Sequence, residues 1–345
     1  MLDTLNMRLI KQFIFCLIIF SNTCFGKEFD KLFVVFEPII NSSQIEKSIN
    51  NSFNTMIYRL SGSNTPSNIW KIINEGNSRK DYIKSYSIKN FDEKSFLEVS
   101  FNKDKLIKTF NKLSIPVIGN SRPVILFLIK IDTGINEPYY LTDSTVQSSL
   151  DFSIKNVLKN ISSSRGIFLE LPELDLVDVT NLSNYKKVIG LKDLVDENYS
   201  YNDFIELNIV KTGINSWQIT GEINITISNE NFPDLFIDEF VKYVNQSINN
   251  FLNTFMIDTS KTELLNISIN NISSFEDYKY SKKILEDLIV FKDIDVNKFD
   301  NDKVFYQLNV YGEFQSFLKE ISENNFFKIE SFNKETSDIN IIYLK

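Results

Sequence analysis

The stretch PVILFLIKI, residues 123–131, determines the fold class that the sequence predicts. Every residue after Pro123 is apolar except Lys130, and an unbroken apolar run of this length is typical of a strand that is buried on both faces. Strands of this kind lie at the centre of sheets that helices cover from both sides. The sequence therefore predicts an α/β protein with this strand at the centre of a mixed sheet flanked by helices.

Segments on both sides of the central strand alternate between strand and helix patterns. A strand is expected over 32–38, and the apolar residues between 44 and 60 recur at helical spacing. Strands at 204–210 and 217–227 would form a hairpin, and a helix over 233–256 would lay its apolar stripe on the sheet. We therefore assign residues 27–258 to one α/β domain.

The pattern changes after residue 261. Strand, helix, strand, strand, helix and strand follow one another, which is typical of a ferredoxin-like module built on a split βαβ unit. This order predicts a ferredoxin-like C-terminal domain over 262–345, separated from the first domain by a short polar segment. The expected elements are strand 264–269, helix 275–289, strands 290–296 and 304–311, helix 313–322, and a last strand near 326–329 or 339–344.

The first 26 residues have the layout of a secretory signal peptide. Arg8 and Lys11 precede an apolar core at 13–20, and small and polar residues lead to Gly26. The core is about half as long as the roughly 20 residues that a helix needs to cross a bilayer, so we expect no stable membrane span. The sequence predicts cleavage near Gly26 and Lys27 and a periplasmic mature protein.

Cysteine and histidine usage restricts the possible chemistry. Cys16 and Cys24 lie within the predicted signal peptide, and the chain has no histidine. We therefore expect a mature protein without disulfides, without His- or Cys-based catalysis or zinc sites, and without a cofactor. Cys24 could alternatively carry a lipid, but residues 21–23 lack the aliphatic residue of a lipoprotein signal, so a lipid anchor is not favoured.

The charge balance bears on partners. The chain contains 37 Lys and Arg and 45 Asp and Glu, for a net charge of −8, and no cluster of basic residues stands out. An acidic surface repels the phosphate backbone, so we expect no nucleic-acid partner.

The densest group of polar residues spans 165–178 and includes the strand expected over 166–171. It contains Arg165, Asp175 and Asp178, and open α/β sheets bind ligands beyond the carboxyl ends of their strands. Asp175 and Asp178 could hold a hard cation or act as an acid/base pair. Alternatively, the two carboxylates cap a turn and a helix by accepting backbone N–H groups. We favour capping, because no further metal ligands are nearby in the sequence.

Two other groups of residues have competing interpretations. Arg122 precedes the central strand and could bind an anion at the same sheet edge, or it could form a salt bridge or a hydrogen bond to a loop carbonyl, which we favour. Trp70, Tyr82 and Tyr86 have helical spacing within a broken helix expected at 69–86, which indicates a core stripe. The sequence contains no phosphate-binding glycine loop, GxSxG, HExxH or EF-hand motif.

Several short motifs resemble the DUF2066 family of uncharacterised proteobacterial envelope proteins. Together they cover about residues 30–230, in the order and spacing of the family, and the resemblance implies an exported α/β domain. The motifs are Tyr58-Arg59-Leu60-Ser61-Gly62, Tyr82 with Tyr86-Ser87, Ile115-Pro116-Val117-Ile118-Gly119 with Asn120-Ser121-Arg122-Pro123, Arg165-Gly166, Leu171-Pro172, Asp175 with Asp178, and Trp217.

These observations predict a non-enzymatic exported protein that binds a protein partner in the cell envelope. The alternative is a protein that binds a small ligand or a cation, or a carboxylate-based enzyme, that uses Asp175, Asp178 and Arg122.

Overall fold

A computed structural model of the chain describes residues 27–29, 31–39, 44–91, 94–144, 146–173, 199–228 and 231–344. The predicted signal peptide lies outside these residues. Within them the chain forms seven α-helices and five separate sheets. The expected α/β class is confirmed. No helix in the described part of the chain is long and apolar enough to span a membrane.

The strands and helices are as follows. The strands are β1 (Lys27–Glu28), β2 (Val34–Ile39), β3 (Ile83–Phe91), β4 (Lys94–Phe101), β5 (Val117–Ile118), β6 (Ser121–Arg122), β7 (Val124–Asp132), β8 (Tyr139–Tyr140), β9 (Phe168–Glu170), β10 (Asp203–Lys211), β11 (Ser216–Gly221), β12 (Ile225–Ser228), β13 (Met256–Ile257), β14 (Thr262–Asn270), β15 (Phe291–Asp300), β16 (Lys303–Tyr311), β17 (Phe327–Asn333) and β18 (Asp338–Tyr343). The helices are α1 (Ile45–Ser61), α2 (Ser67–Asn74), α3 (Lys103–Lys112), α4 (Ser149–Arg165), α5 (Phe232–Leu252), α6 (Phe275–Glu286) and α7 (Phe314–Ser322).

Strand β7 is the centre of a mixed six-stranded sheet. It pairs in parallel with β10 and β9 and antiparallel with β8. Strands β10 and β11 form the expected hairpin, and β12 completes that side of the sheet. Helix α5 buries Phe236, Phe240, Val244 and Ile248 in the same core as β7. The prediction of a central buried strand is confirmed, because the apolar run of β7 packs against helices.

The helix predicted over 69–86 is wrong after its first part. Helix α2 ends at Asn74, and Gly76 adopts a φ of +84°, which ends the helical path. Ser78 and Asp81 then form a capping box around a short 3₁₀ turn. The chain continues as β3, which pairs antiparallel with β4. Tyr86 therefore lies on a strand.

A small sheet with the order β2-β4-β3 packs under α1. Val35, Leu97 and Val99 of this sheet are buried in the same cluster as Phe53 and Ile57 of α1. Strand β3 lies at one edge, and eight of its nine residues are exposed. This sheet thus has one covered face and one long exposed edge.

The C-terminal sheet has the order β15-β16-β14-β18-β17. Strand β16 lies between β14 and β15 and is antiparallel to both, so β14, α6 and β15 form the split βαβ unit that the sequence predicts. Both segments proposed for the last strand are strands. β18 pairs in parallel with β14, and β17 is the outer strand beside β18.

The buried side chains form two clusters within the described residues. One cluster contains side chains from 32–117 together with side chains from 257–343, and the other contains side chains from 118–252. Strand β13 pairs with β5, and Thr259 Oγ1 donates a hydrogen bond to Ile115 O at 2.9 Å. The sheet β2-β4-β3, which we call the N-terminal sheet, therefore packs with the C-terminal sheet. The domain division at 258–262 stays a prediction.

Candidate functional site

The two arginines predicted as site residues lie inside the protein. Arg122 and Arg165 have almost no exposed side-chain surface. The carboxylates proposed as their companions, Asp175 and Asp178, lie outside the described residues. The geometry of the predicted site therefore starts from the two arginines.

Arg122 donates its hydrogen bonds to main-chain carbonyls. Nη1 donates to Arg59 O at 2.8 Å and Nη2 to Ile118 O at 3.1 Å. The pKa of Arg122 is lowered to about 9, chiefly by burial and also by nearby Arg59, and Glu320 opposes the shift. The guanidinium is still charged at neutral pH. Both acceptors are main-chain carbonyls of regular elements, Arg59 O in the last turn of α1 and Ile118 O on β5, whereas the interpretation favoured from the sequence was a loop carbonyl or a salt bridge.

Arg165 makes a comparable set of contacts at the end of α4. Nη2 donates to Asn249 Oδ1 at 2.7 Å and also to Gly62 O, and Nη1 donates to Asn245 Oδ1 at 3.3 Å. Burial lowers the pKa of Arg165 to about 10. Arg165 thus joins the ends of α1 and α4 to α5.

A third buried arginine, Arg59, completes this group. Its Nη1 donates to Leu32 O at 3.0 Å and Val34 O at 2.8 Å, and its Nη2 donates to Ser163 O at 2.8 Å. The guanidinium carbon lies 5.1 Å from the centre of the Phe29 ring. Burial lowers the pKa of Arg59 to about 10. We call Arg59, Arg122 and Arg165 the arginine cluster.

The arginine cluster surrounds the carboxyl end of α1. The last carbonyls of a helix have no partner within the helix and carry partial negative charge, so cations are favourable there. Arg122 and Arg165 supply donors to Arg59 O and Gly62 O at this point. Gly166 has a φ of +61°, and a Cβ at this position would collide with the Arg59 side chain. The arginine cluster therefore holds helices and sheets together by packing and hydrogen bonds, and we call it a structural joint.

Glu320 on α7 is a buried carboxylate near the arginine cluster. Its Oε1 accepts from Asn120 N–H at 2.7 Å and its Oε2 from Val290 N–H at 3.4 Å. A Cβ at Gly119 would strike Oε1, so this close approach needs glycine. Burial raises the pKa of Glu320, and the two backbone N–H groups oppose the shift. Glu320 therefore links the loop before β7 to the C-terminal sheet.

Glu320 also lines a small cleft of about 170 Å³. Ser121, Phe255 and Lys319 are among the other lining residues. Lys319 Nζ lies 3.3 Å from the centre of the Phe255 ring, an arrangement that a cation–π interaction stabilises.

Replacement of Glu320 by glutamine is expected to change how stability depends on pH. Because the folded pKa is raised above the ordinary value of 4.5, the contribution of Glu320 is fully present below pH 4.5 and is lost as the pH rises through the folded pKa. The wild type should thus gain stability relative to Glu320→Gln as the pH falls. Urea unfolding at a series of pH values measures this difference, and a difference that stays constant with pH contradicts the prediction.

Glu313 provides a control with the opposite sign. Its hydrogen bond to Lys261 lowers the pKa of this exposed carboxyl. Its contribution is therefore present above the ordinary value of 4.5 and is lost as the pH falls through the folded pKa. Relative to Glu313→Gln, the wild type should therefore lose stability as the pH falls.

An exposed group of aromatic rings lies on the outer face of the N-terminal sheet. The ring centres of Phe36 and Phe91 are 5.9 Å apart, and those of Phe91 and Phe96 are 6.0 Å apart. Together with Lys94 and Lys159 these rings line a groove of about 390 Å³. We call this feature the aromatic groove. Phe91 is 52% exposed, although a ring of this size is usually buried.

The aromatic groove adjoins the open edge of β3. Tyr86 is 56% exposed and Ile88 is 50% exposed on this strand. Within the described residues β3 pairs only with β4. An edge strand that combines unpaired backbone groups with exposed apolar side chains is a place where other chains attach. This surface was not predicted from the sequence, because the residue spacing over 69–86 favoured a helix.

The outer face of the C-terminal sheet is polar. A shallow groove of about 450 Å³ on this face includes Asn266, Ser268, Asp338 and Asn340. Asn266 Nδ2 donates to Asp338 Oδ1 at 3.0 Å, and Ser268 Oγ donates to Asn340 Oδ1. These polar side chains hydrogen-bond to one another across the strands, as expected of a solvated sheet face.

Three of the motifs that carry the resemblance to DUF2066 lie in the arginine cluster, and one of them supplies Arg122 on β6. Arg59 and Gly62 end α1, and Arg165 and Gly166 end α4. Their positions explain why these residue types are needed for packing, and they identify no ligand. The family resemblance stays a prediction. No protein-family model, curated protein or solved structure matches the chain.

Proposed function

We propose that this protein is an exported, periplasmic and non-enzymatic module that binds a protein partner in the cell envelope. The observation that carries the proposal is the exposed apolar surface on both faces of the edge strand β3. Tyr86, Ile88 and Phe91 are each about half exposed on this strand. Tyr86 and Ile88 share the face of Val99 and Leu97, and Phe91 lies on the other face, in the aromatic groove. An edge strand with exposed apolar side chains is a common feature of protein interaction sites.

Composition supports a role without catalysis. The chain has no histidine, and both cysteines lie within the first 26 residues. Among the residues that the structure describes, no group of three or more Asp, Glu, His or Cys is arranged to hold a metal ion. The ligand-binding alternative needs Arg122 at an accessible sheet edge, and the burial of its side chain gives that alternative no support.

A pull-down from envelope extract tests the proposal. Tagged mature protein should retain one or more specific envelope proteins, identified by mass spectrometry, and Ile88→Ser should lose them. Ile214→Ser is the matched control, because Ile214 is 90% exposed in the turn between β10 and β11. This variant should retain the same proteins. Retention that is equal for both variants would show that β3 is not the binding surface.

Export predicts a defined amino terminus. Because the signal peptide is expected to be removed, the protein recovered from the periplasm should begin at or near Lys27. Mass spectrometry of the intact periplasmic protein measures this directly. An intact chain that starts at Met1 or Met7 and stays in the cytoplasm would contradict export.

A further inference from the structure

We infer that β3 binds an extended, acidic segment of another protein, which adds a strand to the N-terminal sheet and places an apolar side chain in the aromatic groove. This inference rests on the proposed interaction function and specifies the chemistry of the partner. Strand addition to an exposed edge uses main-chain hydrogen bonds for affinity and side-chain pockets for specificity.

The edge of β3 is open, whereas the opposite edge of the same sheet is partly covered. At the opposite edge, Arg59 Nη1 donates to Val34 O of β2. No described residue beyond β4 makes a backbone hydrogen bond to β3. Strand β3 has nine residues, which is long enough for a partner strand of ordinary length. An added strand would therefore attach at β3.

Side chains on β3 extend the buried face of the sheet to this edge. Tyr86 lies opposite Val99, and Ile88 lies opposite Leu97 in the antiparallel register. Directly opposed residues share a face, and both Val99 and Leu97 are fully buried. Among the residues that the structure describes, only β4 pairs with β3, so Tyr86 and Ile88 continue the apolar core surface outward to an edge that no described strand covers. A neighbouring strand with apolar residues at alternate positions would cover both.

Charge favours an acidic partner at this edge. Strand β3 carries exposed Lys84 and Lys89, and Lys94 and Lys159 line the aromatic groove. Glu98, the nearby carboxylate on β4, lies 3.7 Å from Lys89 and accepts a hydrogen bond from Ser87. Lys84, Lys94 and Lys159 form no salt bridge with a described carboxylate. Three cations are therefore available to acidic side chains of a bound strand.

The same lysines disfavour a second copy of this chain. Lysine on an edge strand is a common device against self-pairing, because two copies would bring like charges together. A segment that alternates apolar and acidic residues avoids this repulsion and pairs with the lysines. The groove formed by Phe36, Phe91 and Phe96 lies on the opposite face of the sheet from Tyr86 and Ile88, so it accepts one ring placed among the acidic residues of the segment, in edge-to-face contact. Both features select an acidic strand with an aromatic residue.

A synthetic peptide tests this inference directly. The probe is a labelled peptide of about ten residues, a length suited to β3. Val at alternate positions faces Tyr86 and Ile88, and Glu with one Phe at the positions between them faces the aromatic groove and its lysines. We expect saturable binding by fluorescence anisotropy that weakens as salt is added. The same peptide with Lys in place of Glu should not bind. A peptide N-methylated at every residue keeps its side chains but has no N–H group to donate to β3, so it should also fail to bind.

Two protein variants separate local charge from total charge. Lys84→Glu/Lys94→Glu should weaken peptide binding by about tenfold or more, because Lys84 lies on the edge strand and Lys94 lines the aromatic groove. The control Lys292→Glu/Lys328→Glu makes the same change in net charge on exposed residues of the C-terminal sheet. It should bind the peptide as the wild type does. Equal weakening in both variants would overturn a local acidic site.

Other outcomes would also overturn the inference. Binding of the lysine peptide or of the N-methylated peptide as tight as that of the acidic peptide would exclude an acidic added strand. Dimerisation of the wild type that Ile88→Ser abolishes, measured by sedimentation, would identify a second copy as the occupant. If envelope proteins bind through Ile88 but the acidic peptide does not bind, the inference fails and the proposed function stands. If neither binds, both fail.

Discussion

Replacement of Phe127 by alanine is expected to lower the free energy of unfolding by about 3–5 kcal/mol. Phe127 is fully buried in β7, between β10 and β9. Its ring packs edge-to-face on Phe240 of α5, with the ring centres 6.1 Å apart. Alanine would leave a cavity in the sheet centre and would remove this aromatic contact. Urea unfolding measures the loss.

Phe152→Ala is the matched control for this experiment. Phe152 lies on α4 with 60% of its side chain exposed, so its removal should change stability by less than about 0.5 kcal/mol. A loss below about 1 kcal/mol for Phe127→Ala would contradict the central position of β7, because that loss is too small for an emptied aromatic site.

The centre of the fold was predictable from the sequence because local pattern and tertiary role agree there. Strand β7 is buried on both faces, so nearly every residue must be apolar, and this requirement is visible in the residues alone. Helix α5 likewise shows its buried stripe through the spacing of Phe236, Phe240 and Val244. Where a single element has one extended apolar surface, the spacing of its apolar residues is enough to predict that element.

The edge strand β3 was not predictable in the same way. Almost all of its residues are exposed, so it lacks the alternation of a half-buried strand, and Tyr82 and Tyr86 matched a helical spacing. Its strand conformation depends on pairing with β4 in a hairpin. That pairing is a tertiary interaction, and tertiary interactions override the local conformational propensity of a segment. The surface on which the function is proposed therefore became visible only in the structure.

The arginine cluster was partly predictable. Arg122 and Arg165 were singled out by their positions beside strand patterns, but their acceptors come from distant parts of the chain. Arg59 and Glu320 carried a weaker signal. Arg59 follows buried Met56 by three residues, and Glu320 follows buried Phe317 by three, so each charged residue stands on the apolar stripe of its helix. A charge on a buried stripe needs a specific partner.

Replacement of Arg122 by alanine is expected to destabilise the protein by about 3–5 kcal/mol, the range for removing one member of a buried charged network. Alanine leaves Arg59 O and Ile118 O without their donors and removes the largest of the fully buried side chains among the described residues. It also takes away one of the two cations, with Lys103, that favour the charged form of buried Glu320. Unpaired buried groups and a cavity each cost free energy. Urea unfolding of the two proteins measures the sum.

Arg122→Lys and added anions distinguish between two roles of Arg122, a part of the structural joint and an anion-binding site. Lysine keeps the charge but cannot present two donors in a fixed fork, so a joint between carbonyls predicts a substantial loss for Arg122→Lys as well. An anion site predicts a different pattern: phosphate would stabilise the wild type, and the stabilisation would disappear in Arg122→Ala while the fold itself stayed stable. The buried carbonyl contacts lead us to expect that phosphate has no Arg122-dependent effect. A loss below about 1 kcal/mol in Arg122→Ala would contradict the joint, because two buried carbonyls would then have lost their donors at almost no cost.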